Sequence, residues 1–176
     1  MAKPAPVTPV KLFVVTLHRE VEALNAVRSE LEQEWGECDF QSADFPFDQT
    51  DYYEKEMGSN LFRRFLSFQR LITPDRIVEA KLFTNLMEEK YSGESGRRIN
   101  LDPGYLDYYK LVLASAKFGG QKVYLRSGIY ADMTLVVFRG KWEAFQWSFP
   151  DFKSGLYDQT LFQIRDLYKS QVKLLS

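Results

Sequence analysis

The sequence predicts an α+β domain: a ferredoxin-like βαββαβ core extended by a C-terminal β-meander and a final helix. Three observations carry this expectation. The first hundred residues alternate strand-like and helix-like periodicity in the order β-α-β-β-α-β, that of a split βαβ unit. Residues 121–147 hold three short β-branched and aromatic runs, separated by Ser127-Gly128 and Arg139-Gly140, which is the punctuation of a meander. The opening strand, Val10 to Leu17, is apolar on both faces, so the sheet it joins is covered on both sides.

The elements follow in order. Residues 1–9 hold three prolines and read as a loose tail, leaving 10–176 as one globular domain. Helix one spans about Arg19 to Trp35, with the stripe Val21, Leu24, Val27, Leu31, Trp35, and Gly36 stops it. A second strand returns over Glu37 to Phe45. Phe45 to Gly58 (FPFDQTDYYEKEMG) has no clean period and reads as a long loop with a short helical turn. Leu61 to Arg70 is a third strand. Helix two starts at Thr73-Pro74-Asp75, carries the stripe Val78, Leu82, Leu86, and ends near Tyr91. Arg97 to Leu101 is a short strand closed by a turn at Asp102-Pro103-Gly104-Tyr105. Tyr105 to Lys117 fits either a helix or a buried strand, and its length favours helix. The last helix spans about Leu156 to Leu175 on the stripe Leu161, Ile164, Tyr168, Val172, Leu175.

Composition narrows the function. The 176 residues are 45% hydrophobic and 27% charged, ordinary globular values, but 15% aromatic, so rings fill much of the core. With 23 basic and 24 acidic residues the formal charge is −1, which argues against coating of DNA or RNA. The lone Cys38 closes no intrachain disulfide and fits a reducing, cytoplasmic setting; Glu37 and Asp39 beside it raise its pKa. The N-terminus reads as no secretory signal, and no apolar run is long enough to span a membrane. One histidine and one cysteine make neither a closed zinc site nor a recognisable nucleophilic triad. Neither the phosphate-binding loop nor the dinucleotide glycine fingerprint is present.

The candidate site residues are charged groups in unusual places. Arg64 shares a strand face with Phe62, Leu66 and Phe68, so it needs a carboxylate or an anionic ligand if that face is inward; Arg63 lies on the opposite face. Arg97 and Arg98 point opposite ways, and guanidinium groups grip carboxylate or phosphate in pairs of bonds. Asp48 and Asp51, with Glu54, Glu56 and Tyr52, form an acidic aromatic loop that can hold Mg²⁺ or merely cap a helical turn. Asp102 opens the predicted turn, with Tyr105 closing it. Asp132 stands mid-strand, where aspartate is disfavoured. His18 lies at the carboxyl end of strand one, a common ligand position in sheets with crossover helices.

Several strings also occur together: FPFDQTDYYEKEMG, RRFLSF, KLFTNLMEEK, RRINLDPGYL followed by KLVLAS, and GIYADMTL followed by Trp147-Ser148-Phe149-Pro150-Asp151-Phe152. As a set, from about Val10 to Tyr168, they resemble the bacterial family catalogued as domain of unknown function 4416. The resemblance implies a bacterial, intracellular, stand-alone domain and brings no catalytic residues with it.

Two functional expectations result. In the first, arginines orient a small phosphate- or carboxylate-bearing molecule while Asp48, Asp51 or Asp132 acts as base or metal ligand, and the site is enzymatic if a proton moves there. In the second, the chain is a non-catalytic adaptor that docks a protein through the aromatic loop.

Overall fold

The computed structural model describes residues 1–48, 53–93 and 96–175. Its strands are β1 (Val10–His18), β2 (Cys38–Gln41), β3 (Phe45–Phe47), β4 (Leu61–Ile72), β5 (Ile99–Leu106), β6 (Lys110–Ser115), β7 (Val123–Arg126), β8 (Ile129–Phe138) and β9 (Lys141–Ala144). Its helices are α1 (Val21–Trp35), α2 (Glu54–Met57), α3 (Ile77–Lys90), α4 (Pro150–Lys153) and α5 (Asp158–Lys173); a 3₁₀ turn, Pro74–Arg76, leads into α3. The fold is mixed α+β on one large antiparallel sheet, nine strands among the described residues, in the order β2-β4-β1-β5-β6-β8-β7. β3 pairs with β4, and β9 with β8.

Both faces of β1 are covered, as its apolar composition requires. Leu12 and Val14 meet Leu24, Val27, Leu31 and Trp35 of α1, with Ala80 and Met87 of α3. Phe13 and Val15 meet Phe152, Tyr157, Leu161, Ile164 and Tyr168, brought over by α4 and α5. Each such side chain is worth about 1.5–3 kcal/mol when fully buried. At the far end, buried Lys11 bonds Asp39, the Phe68 carbonyl (2.9 Å) and Gln171 Oε1 (2.8 Å), while Tyr168 donates its hydroxyl to the Pro9 carbonyl. Burial pulls the Lys11 ammonium below its ordinary pKa.

The meander has the expected turns. Ser127 and Gly128, then Arg139 and Gly140, all adopt positive φ, as two-residue hairpin turns demand. Four expectations are corrected. Asp102-Pro103-Gly104-Tyr105 is no turn: β5 runs straight through it. Tyr105 to Lys117 is no helix, because the Asp107 carboxylate accepts the Tyr109 and Lys110 amides (2.7 and 2.9 Å) and turns the chain into β6. The second strand is broken into β2 and β3, both paired with β4. Finally, α3 buries Ile77, Val78, Ala80, Lys81, Thr84, Met87 and Glu88, while Leu82 and Leu86 of the expected stripe face outward.

Candidate functional site

The inward polar residues of α3 answer a gap in the sheet. β5 and β6 pair only through Gly104–Leu106 and Leu111–Leu113. Nearer the start of β5 the two strands part, leaving backbone groups of β5 without a ladder partner among the described residues. Two side chains of α3 replace the missing strand: the Leu101 amide donates to Glu88 Oε1 (2.6 Å), and Lys81 Nζ donates to the Leu101 carbonyl (2.9 Å). Pro103, two residues on along the same edge, sits where β6 has already left, so its missing N–H is not needed there. Gly104 marks the last tight pairing; a Cβ there would lie 2.6 Å from both Phe13 Cζ and the Val112 carbonyl.

The gap opens into a cleft of about 740 Å³. Asn100 and Asp102 of β5, Ser115 at the end of β6, Asp132 of β8 and Arg63 of β4 line it, with Lys81, Asn85 and Glu88 of α3. Arg97, Lys117 and Lys122 line it as well, and Phe47, Tyr53, Phe118 and Phe149 supply rings. Phe118 is 79% exposed. The ions form a linked network. Arg97 grips Glu56 through two bonds (2.8 and 2.7 Å) and reaches Glu88 Oε2 (3.1 Å) and Asn100 Oδ1 (2.9 Å). Asn100 then donates to Asp102 (2.8 Å), which lies 3.4 Å from Lys81 Nζ. Lys122 donates to Ser115 Oγ (2.8 Å) and the Lys117 carbonyl (3.3 Å), and its Nζ lies 3.6 Å from Asp132 Oδ2. Arg63 pairs with buried Asp151 beneath the Phe47 ring, and Tyr157 donates to the same carboxylate (3.0 Å).

Burial sets the protonation of this wall. It pushes the Glu88 and Asp132 carboxyls above the usual carboxylate range, against the pull of Lys81 on the first and Lys122 on the second. The Glu56 carboxylate raises the Arg97 guanidinium. Lys81, with a donor to spare among the described residues, therefore faces carboxyls whose pKa burial raises. Acids and bases tuned in this way are a frequent mark of binding and catalytic clefts.

A family model matches residues 8–168. The chain belongs to the family described as Domain of unknown function (DUF4416). No curated protein and no solved structure matches this DUF4416 chain significantly. No helix among the described residues is long and apolar enough to cross a membrane.

Of the residues singled out in this DUF4416 sequence, the structure brings Arg97, Asp102 and Asp132 to the cleft. Arg64 is not there: it makes a two-bond pair with Asp44 (2.7 Å each) on the face toward α1. Arg98 pairs with Glu20 on the surface. His18 is fully buried, its Nε2 3.3 Å from Asp44 Oδ1 and its Nδ1 3.3 Å from Thr16 Oγ1, and burial lowers its pKa. Tyr105 packs against Ile77, Val78 and Val112 on the α3 side of the sheet. Asp48 is exposed after β3, and Asp51 and Tyr52 lie outside the described residues. Among the described residues no three histidine, cysteine or carboxylate groups converge to hold a metal such as Mg²⁺. Cys38 is raised chiefly by burial, with Glu32, in place of the expected Glu37, and then Asp39 as smaller causes.

Lys81, Glu88, Asn100, Lys122 and the Arg63–Asp151 pair were not singled out as site residues. Lys81 and Glu88 left a trace: charged residues seven apart share one helix face with Ile77 and Thr84. The Arg63–Asp151 pair spans 88 positions and leaves none.

Proposed function

We propose that this chain binds a small organic anion, carrying a phosphate or carboxylate, in the cleft between β5 and β6. One observation carries the reading. Lys81 is buried on the cleft wall, and its ammonium has three donors but two partners among the described residues, the Leu101 carbonyl and Asp102. A buried cation with a free donor facing a hollow suits an anion. The volume lies in the usual range for small-molecule sites, roughly 300–1,000 Å³. Rings at Phe47, Phe118 and Phe149 favour an organic ligand over a bare inorganic ion. Glu88 and Asp132, whose protons are held more firmly than usual, also suit the cleft to proton transfer, so the site has the parts of an enzyme.

The adaptor alternative draws less support. Of the aromatic loop, Phe45 packs on Phe65 and Tyr157, and Phe47 contacts Tyr53, leaving few rings to anchor a partner. We read the order β2-β4-β1-β5, with α1 and α3 on one face, as a ferredoxin-like unit, and the protein as cytoplasmic and bacterial.

Thermal unfolding in the presence of orthophosphate, citrate and glycerol 3-phosphate tests the proposal. A ligand at a hundred times its Kd adds about 2.7 kcal/mol to stability. For a chain of this length that raises Tm by about 5–10 °C. Lys81→Met should remove the shift. No stabilisation by any anion, or an undiminished shift in Lys81→Met, would refute it.

A further inference from the structure

Asp132 stands in the middle of β8, opposite Leu113 of β6, with its side chain on the cleft wall and 6% of its surface exposed. Oδ2 lies near Lys122, but Oδ1 is buried with no hydrogen-bond partner among the described residues. Leaving such an oxygen unmet costs about 1–3 kcal/mol, more if the group is charged. The sheet has no need of an acid here, since strands disfavour aspartate. The described neighbours supply no donor either: Lys122 is engaged with Ser115 and the Lys117 carbonyl, and the Thr134 hydroxyl donates to the Asp132 carbonyl. A costly local arrangement on a cleft wall is the signature of a contact completed by something that enters the cleft.

We propose that Asp132 Oδ1 receives a hydroxyl or amino group of the ligand, so that the cleft selects hydroxylated or aminated organic anions over plain ones. This rests on the anion-binding reading of the same cleft and adds the ligand's second functional group. Lys81 faces the anionic end; Asp132, beside Lys122, faces the donor.

Calorimetric titration of the full chain with matched phosphates tests it: glycerol 3-phosphate against n-propyl phosphate, and O-phosphoethanolamine against ethyl phosphate. The wild type should bind at least one donor-bearing member about tenfold or more tightly than its plain counterpart, as meeting a buried unsatisfied acceptor implies. In Asp132→Ala that preference should fall to about one, with the plain phosphate still bound. Asp132→Asn, nearly isosteric and still offering an oxygen acceptor, should keep part of the preference and guards against misfolding of the alanine variant. Equal binding within both pairs, or a preference that survives in Asp132→Ala, overturns the role of Asp132 and leaves the anion site standing. Failure of the wild type to bind any phosphate overturns both.

Discussion

Replacing Glu88 by alanine removes the acceptor that stands in for a strand at the edge of β5. The Leu101 amide, on a residue with no exposed surface, then has no partner. An unmet buried amide costs about 1–3 kcal/mol. Arg97 also loses one of its two carboxylates, worth up to about 1 kcal/mol for a partly exposed pair, since Glu56 remains. The two effects give a loss of about 1–4 kcal/mol. With a urea slope of about 2 kcal/mol per molar, the unfolding midpoint falls by about 0.5–2 M. Buried Trp35 and Trp142 make fluorescence a suitable probe of the transition. Glu88→Gln keeps a carbonyl oxygen for the amide and should lose under about 1 kcal/mol. Hydrogen exchange localises the effect: the Leu101 amide should lose protection in the alanine variant and keep it in the glutamine one. A midpoint unchanged in Glu88→Ala, or equal losses in both variants, would refute the idea that this side chain closes the sheet.

Two further outcomes follow from the same region. Burial raises Glu88 and Asp132, so the native protein keeps their protons at pH values where the unfolded chain has lost them. The stability this contributes is full below the unfolded pKa of about 4 and is lost as pH rises through the folded values. A Glu88→Gln/Asp132→Asn double variant cannot ionise there, and should gain on the wild type as pH rises above about 4; paired urea melts showing a constant difference would contradict this. Gly104→Ala should destabilise by about 1–3 kcal/mol, because the new methyl meets the Val112 backbone as well as the Phe13 ring. A thermal midpoint matching the wild type would show that the β5–β6 junction yields more easily than its contacts suggest.

Much of the frame was legible because it depends on local pattern. Val10–His18 is mostly apolar and buried throughout because helices cover it on both sides, and Ser127-Gly128 and Arg139-Gly140 mark hairpins because their glycines accept the positive φ of such turns. The errors arose where a distant partner decides. Leu82 and Leu86 look like a core stripe, yet Lys81 and Glu88 turn inward because β5 lacks a neighbour there, a demand absent from the helix's own sequence. Pro103-Gly104 resembles a turn, but it serves a strand that loses one partner and crowds another. Arg64 was the arginine on a suspect face, and Asp44 neutralises it; Arg63, one residue earlier, reaches the cleft through an acid at the far end of the chain. Asp132 showed itself because an acid in the middle of a strand has no local reason to be there.

The Lys11 cluster gives the chain a long closing stitch. Gln171 and Tyr168, which meet Lys11 and the Pro9 carbonyl, come from the final helix, while the atoms they satisfy belong to the opening strand and the residue before it. As the polypeptide leaves the ribosome, Phe13, Val15 and Phe65 therefore wait for a lid that is made after the described strands. Until it arrives, that half of the sheet has no roof, and its earliest ammonium group lacks one of its oxygen partners.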